Sequence, residues 1–279
     1  MRPFEFLEPS SLDEAIRLLG SDDPAIRPIG GGTALLLMMK SGFFRPRRLV
    51  SLRRIEQAYR SISADPDGNL RIGAMATLAE IERSPDVIRH APVIAHALRT
   101  LSNPRTRNVA TIGGHLAHAD PHLDLPPVLA ALDARLKIMG PQRARSIPVA
   151  ALIRGYLETD LSPGEIIAEV VVPGDAGKQA VYWKYTARSA DDWPALGVAA
   201  ALGETSVRIV IGAATDKPTR LVAAEAALGG SRDEAALRRA AEAAAAEAKL
   251  VSDQHGTASY KKELLRVGVR RALVQAMAS

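Results

Sequence analysis

The sequence predicts an α+β chain in two parts, and three of its features carry that expectation. Up to about residue 177 short apolar strands alternate with helical stretches and glycine-rich turns, then an antiparallel meander takes over, and alanine-rich helices close the chain. The length suffices: 279 residues, 47% of them hydrophobic, bury one large core or two modest ones. We place an N-terminal domain at residues 1–177, with subdomains of about 1–55 and 56–177, and a C-terminal domain at 178–279.

Each element has a local reason. In “SSLDEAIRLLGS”, Ser11 is placed to cap a helix, Glu14 stands three residues on, and Gly20 is placed to end it. “IRPIGGGTALLLMMK” reads as a short strand, three glycines and an apolar stretch, and “RRLVSL” as a second strand. “NLRIGAMATLAEIERS” runs from a strand into a helix capped by Thr77 with Glu80 at its third position. Residues 84–102 keep helical spacing. Residues 103–126 have no clean period, so this stretch is expected to be a long structured loop, followed by a short helix and a strand. “EIIAEVVVP” is a strand closed by Pro173, and “GDAGK” at 174–178 suits a linker. “AVYWKYT” and “WPALGVAAALGETSVRIVIGAAT” form the meander, with “GET” as a hairpin turn. Ser231 and Glu234 suit a capping box for “RDEAALRRAAEAAAAEAKL”, whose composition favours helix.

Composition removes several functions. The chain has no cysteine, which excludes disulfides, thiolate zinc sites and iron–sulfur ligation, so a redox role requires a bound organic cofactor. The net charge of +5 would suit an anionic ligand. Yet the arginines are scattered, aromatic residues make up only 4%, and no nucleic-acid module is recognisable, so nucleic acid is not an expected partner. There is no leader pattern and no apolar run near the roughly 20 residues that span a bilayer. We expect no membrane span and a cytoplasmic location.

Two glycine turns carry the chemistry. Gly30, Gly31 and Gly32, followed by Thr33, expose successive backbone N–H groups without a Cβ in the way, as a phosphate-binding nest requires; a structural tight turn looks the same. The sequence is neither a Walker loop nor a GxGxxG fingerprint. The second turn, “ATIGGHLAHADP”, repeats the pattern with Thr111 before Gly113 and Gly114, and a pair of such turns points to a dinucleotide. The cluster around it contains His115, His118, His122, Asp120 and Asp124. Zinc would need these groups to converge, and Pro121 disfavours a helix through Asp120, so we assign no metal site. His90, His96 and His255 read as surface or packing residues.

On these residues the chain resembles the FAD-binding subunit of the molybdenum hydroxylases, the aerobic carbon monoxide dehydrogenase medium chain and xanthine dehydrogenase type. The match runs nearly end to end through “GGGTALLLMMK”, “RNVATIGGHLAHADPHLDLP”, “TDLSPGEIIAEVVVP”, “WKYTARSADDWPALGVAAAL” and “SYKKELLRVGVRRAL”. The resemblance implies a flavin domain of the vanillyl-alcohol-oxidase (PCMH) type, followed by a smaller carbon monoxide dehydrogenase flavoprotein C-terminal domain of antiparallel sheet and helices.

It also implies that Gly30, Gly31, Gly32, Thr33, Ala34, Thr111, Gly113, Gly114 and His115 bind the FAD pyrophosphate and that Asp124 binds within the ADP half. Leu161 would meet the flavin edge through its backbone, Lys184 would lie near the isoalloxazine as a favourable cation, and Trp193 would cover one flavin face. The family usually has asparagine at His115, a small polar residue at Leu123, and tyrosine or an apolar residue at Trp193.

The implied partners are a large molybdenum-cofactor subunit and a small subunit with two 2Fe–2S clusters, assembled as a dimer of heterotrimers. Electrons would pass from the clusters through FAD to NAD, a quinone or oxygen, with no catalytic side chain beyond the flavin. Two other readings use the same residues: a non-redox nucleotide- or anion-binding module built on the glycine turns, and a metal hydrolase built on the histidine cluster.

Overall fold

A computed structural model describes residues 2–21, 23–174, 179–203 and 206–278. The boundary expected at residue 177, most of the “GDAGK” linker, and Glu204 and Thr205 of the “GET” turn lie outside the described residues.

The N-terminal unit comprises β1 (Glu5–Leu7), α1 (Leu12–Leu19), β2 (Ile26–Ile29), α2 (Leu35–Lys40) and β3 (Arg48–Ser51), with the strands in a parallel sheet of order β1-β3-β2. Ser11 caps α1 by accepting the Glu14 N–H at 3.2 Å. The buried face of α1, Leu12, Ala15, Ile16 and Leu19, packs on Val50 and Leu52 and closes over Ile166 and Ala168 of the next unit.

The middle unit runs through β4 (Ile62–Ala64), β5 (Leu70–Gly73), α3 (Leu78–Arg83), α4 (Pro85–His90), α5 (Pro92–Arg99), α6 (Pro104–Arg107), α7 (Ile112–His118), α8 (Leu125–Ala131), β6 (Arg135–Met139), β7 (Ala144–Pro148), β8 (Ile153–Gly155), β9 (Glu158–Thr159) and β10 (Ile166–Val172). Its main sheet is antiparallel in the order β4-β5-β10-β6-β7. Thr77 and Glu80 form the reciprocal capping box of α3. The helical run at 84–102 is two helices, because Pro92 forces Ala91 out of helical geometry at φ −147° and ψ 64°. The stretch expected to be a loop contains α7, which ends at Ala119 in the left-handed conformation, one residue before the Asp120–Pro121 pair.

The C-terminal unit is the expected meander, β11 (Ala180–Tyr185), β12 (Leu196–Leu202), β13 (Val207–Gly212) and β14 (Thr219–Arg220), followed by α9 (Val222–Leu228), α10 (Glu234–Glu247) and α11 (Ala258–Ala278). The cap of α10 is Asp233, not Ser231. The Asp233 carboxylate accepts the Ala236 N–H at 2.7 Å, while the Ser231 hydroxyl donates to that aspartate at 2.9 Å.

Every residue of β12 is buried because both faces of its sheet are covered. Val198, Ala200 and Leu202 face the C-terminal helices, and Ala199 and Ala201 face the middle unit. Small residues on that second face let the units close on each other, since a Cβ at Gly212 would lie 2.9 Å from Pro127 of α8; within the sheet, Gly197 leaves room for the Tyr182 ring. The structure therefore combines helices with one parallel and two antiparallel main sheets. Among the described residues no helix is long and apolar enough to cross a membrane.

Candidate functional site

The first glycine turn leaves β2 at Ile29 and enters α2 with no side chain capping that helix. Gly32 has φ 76°, open to glycine at little cost. Among the described residues, the amides of residues 31–34 donate to no backbone or side-chain acceptor, and the Thr33 hydroxyl has no partner. The turn is pressed against the second one. A Cβ at Gly30 would lie 2.6 Å from the Thr111 hydroxyl, and one at Gly31 would overlap the Val109 carbonyl oxygen. Two backbones meet there with no room for a side chain.

The second turn is the capped start of α7. Thr111 accepts the Gly114 N–H through its hydroxyl at a long 3.3 Å, while Ile112 and Gly113 donate to the carbonyls of Ala76 and Ala74 at 3.0 and 2.8 Å. Gly113 is small for the same reason as Gly31: a Cβ would lie 2.8 Å from that of Ala74. The Gly113 amide is therefore engaged by protein. What this turn keeps free is the Thr111 hydroxyl proton, along with His115 one turn into the helix. His115 is only 9% exposed, and its Nε2 is buried without a partner. Burial, with a smaller push from His118, lowers its pKa to about 3, so the ring is a neutral hydrogen-bonding group near pH 7.

The remaining predicted residues are drawn together by the domain contact. Alternation along β11 turns Tyr182 and Lys184 toward the middle unit and Trp183 and Tyr185 toward α11. There the Tyr182 hydroxyl donates to Asp124 Oδ1 at 2.7 Å, and Lys184 Nζ donates to Asp124 Oδ2 at 3.2 Å and to the Thr100 carbonyl at 2.8 Å. Burial pushes the Asp124 carboxyl up, against the opposing charge of Lys184. Asp124 and Lys184 are thus bonded to each other across the contact between the units. Lys184 is not a free cation, since its charge is already matched. Tyr182 was missed in the sequence, although its position two residues before Lys184 on a strand was a usable signal.

Leu161 is half-buried, its amide donating weakly to the Thr159 hydroxyl at 3.4 Å. Trp193 is 44% exposed on the loop between β11 and β12. The histidine cluster itself divides. His115 and His118 belong to α7, whereas His122 sits between Asp120 and Asp253, 131 residues away in sequence. His115 and His118 thus share the helix of the second glycine turn, and His122 lies beyond it. Among the described residues, no group of three or more histidines, aspartates or glutamates is arranged to hold a metal ion. His255, expected to be a surface or packing residue, lies with its ring centre 5.2 Å from that of His122, tilted at 54°.

Undonated amides at residues 31–34, two hydroxyls and an orphaned neutral imidazole are the donor set that a phosphate-bearing ligand satisfies. Fold and donors together define a two-domain chain of the nucleotide-cofactor-binding class. Comparison with known proteins makes the class specific. Residues 2–175 match the family described as the FAD binding domain in molybdopterin dehydrogenase, and residues 181–276 match the CO dehydrogenase flavoprotein C-terminal domain. The chain belongs to this family: it is an FAD-binding oxidoreductase subunit of the molybdenum hydroxylases.

It is 33% identical to the carbon monoxide dehydrogenase medium chain of Hydrogenophaga pseudoflava, over 99% of this chain and 97% of that one. To the nicotine 6-hydroxylase medium subunit of Paenarthrobacter nicotinovorans it is 32% identical, over 97% and 96%. Its structure is similar to a chain of quinoline 2-oxidoreductase from Pseudomonas putida 86, with a TM-score of 0.92 and 30% identity over 99% of this chain and 98% of that one. These relatives are chains of multi-subunit enzymes.

Proposed function

We propose that residues 30–34, with the hydroxyl of Thr111 and the imidazole of His115, bind the pyrophosphate of FAD, and that Leu161 and Trp193 flank its flavin end. The observation that carries this reading is the undonated run of amides at residues 31–34 pressed against the capped start of α7. Bound there, FAD supplies a carrier that takes up and releases electrons. The protein holds the pyrophosphate with neutral donors, keeps His115 uncharged through burial, and fixes the C-terminal domain with the Asp124–Lys184 pair. Asp124 and Lys184 thus act on the ligand through domain position.

With FAD held by residues 30–34, Thr111 and His115, the chain would accept electrons from iron–sulfur clusters of a small partner subunit, supplied by a large molybdenum subunit, and would pass them to NAD, a quinone or oxygen. A cysteine-free chain suits this division of labour, since it offers no thiolates to a cluster. A cytoplasmic dimer of heterotrimers is the assembly this reading favours. The test is a visible absorption spectrum of the purified chain after incubation with excess FAD and desalting. About one FAD per chain is expected. A colourless chain that remains colourless when co-purified with its partner subunits would refute the reading.

A further inference from the structure

His122 stands where the two domains meet, and its side chain is held at both ends. Its Nδ1 lies 3.0 Å from Asp120 Oδ1, and its Nε2 lies 3.1 Å from Asp253 Oδ2. Asp253 is fixed in turn: it accepts from Lys261 Nζ at 2.5 Å and from the His255 amide at 2.8 Å. The Lys261 side chain is fully buried and also donates to the Ala213 carbonyl at 3.2 Å. Each nitrogen of His122 faces a carboxylate that can only accept, so two hydrogen bonds require both nitrogens to carry protons.

Burial opposes that charge, but the bonds to Asp120 and Asp253 outweigh it and hold His122 above the ordinary histidine value. Both aspartates, despite their own burial, are held low by the same contacts and, at Asp253, by Lys261. His255 also faces the ring, at 5.2 Å, and His118 faces Asp120 from α7. The remaining edge of the cluster is Trp193, whose ring centre lies 5.6 Å from that of His122 at an interplanar angle of 78°. Trp193 is 44% exposed, and among the described residues its amide bonds only to the adjacent Asp192 carboxylate, at 2.9 Å.

We propose that His122 is a positioning residue for Trp193: clamped between Asp120 and Asp253, it fixes where the indole stands at the flavin end of the site. The flavin half of this statement rests on the FAD reading above, and the contact between the two rings does not. The clamp joins a loop of the flavin domain to the segment that precedes the last helix, so the indole's place depends on the domains being closed.

The two halves are tested separately on the full chain. The sequence holds two tryptophans, so Trp183→Phe leaves Trp193 as the sole tryptophan, excited at the red edge of the absorption band where tyrosine does not absorb. An imidazolium beside an excited indole accepts an electron from it and quenches its emission, whereas a neutral imidazole does not. In the FAD-free chain the emission of Trp193 is expected to rise with pH, with a midpoint above the ordinary histidine value of about 6.5. His122→Asn should make the emission bright and flat, Asp253→Asn should lower the midpoint, and His255→Asn should leave a titration in place. Emission that does not titrate between about pH 5 and pH 9, or that still titrates in His122→Asn, would overturn the contact.

With FAD bound, His122→Asn is expected to shift the flavin absorption bands and raise the emission per bound flavin severalfold, in the direction that Trp193→Ala does. A flavin spectrum that responds to Trp193→Ala and ignores His122→Asn would overturn the positioning role. A chain that titrates as expected but takes up no FAD, alone or with its partner subunits, would overturn the FAD reading and the flavin half, while the ring contact stands.

Discussion

The two glycine turns look alike in sequence and differ in structure. Each sets adjacent glycines and a threonine at the start of a helix, and each glycine group lets two backbones touch. At residues 31–34 the amides donate to no acceptor among the described residues, although residues 109–111 press on the same turn. At 112–114 the segment 74–76 and the Thr111 hydroxyl already accept them. The first turn is thus a donor surface and the second is mainly a joint. A glycine pair before a helix says that something comes close. Only the tertiary neighbour says whether that is protein or ligand.

The sharpest way to break this contrast is Gly31→Ala. Its Cβ would overlap the Val109 carbonyl oxygen, a backbone atom that cannot swing aside, and any relief must move the donor turn itself. A loss of about 3 kcal/mol or more is expected in urea unfolding, with no FAD retained after desalting. An alanine variant within about 1 kcal/mol of the parent would mean that the turns do not abut.

The next effect is a pH slope. The His115 ring stays neutral in the folded chain down to about pH 3, whereas the unfolded chain takes up that proton near the ordinary value of 6.5. Between these limits the unfolded state binds more protons, so stability falls as pH falls, by roughly 1.4 kcal/mol per pH unit. His115→Asn should flatten that slope in unfolding curves taken from neutral to acid pH. His122 gives the opposite sign: its folded value is raised, so its contribution is full below the unfolded value and fades as pH rises through the folded one. A slope unchanged in His115→Asn would show the ring to be hydrated. Smaller again is Gly113→Ala, expected to cost about 1–3 kcal/mol by crowding Ala74 while FAD content is retained, because that amide faces protein.

These effects track what could be read from the chain. Local signals were legible: Ser11 and Thr77 cap where expected, Pro173 follows the end of β10, and the meander after residue 178 is written in strand alternation. Helix α7 was hidden because two glycines and a following Asp–Pro blur its period, and its amides are satisfied by a segment some 35 residues earlier in sequence. The cap of α10 was misread by two residues because Ser231 and Asp233, on either side of Arg232, are equal candidates there. At the site, both turns and their residue types were visible. The pairing of Asp124 with Lys184 and of His122 with Asp253 was not, since each joins groups 60 or more residues apart across the domain contact, where no local pattern reaches.

The mildest change tests what the second turn gives beyond a joint. The Thr111 hydroxyl accepts the Gly114 amide, and among the described residues its own proton goes to no acceptor, so one atom serves the helix and remains available to a ligand. Thr111→Val keeps the shape and removes both functions. It should lower stability by about 1 kcal/mol, the usual worth of an N-cap, and weaken FAD binding by roughly tenfold, the loss of about one hydrogen bond. Thr111→Ser should restore both, since serine offers the same oxygen. Stability lost with affinity unchanged in the valine variant would make the second turn a joint alone and assign the whole of phosphate binding to residues 31–34 and His115. Affinity lost with stability unchanged would mean that the 3.3 Å bond to Gly114 contributes little and that the hydroxyl is there for the ligand.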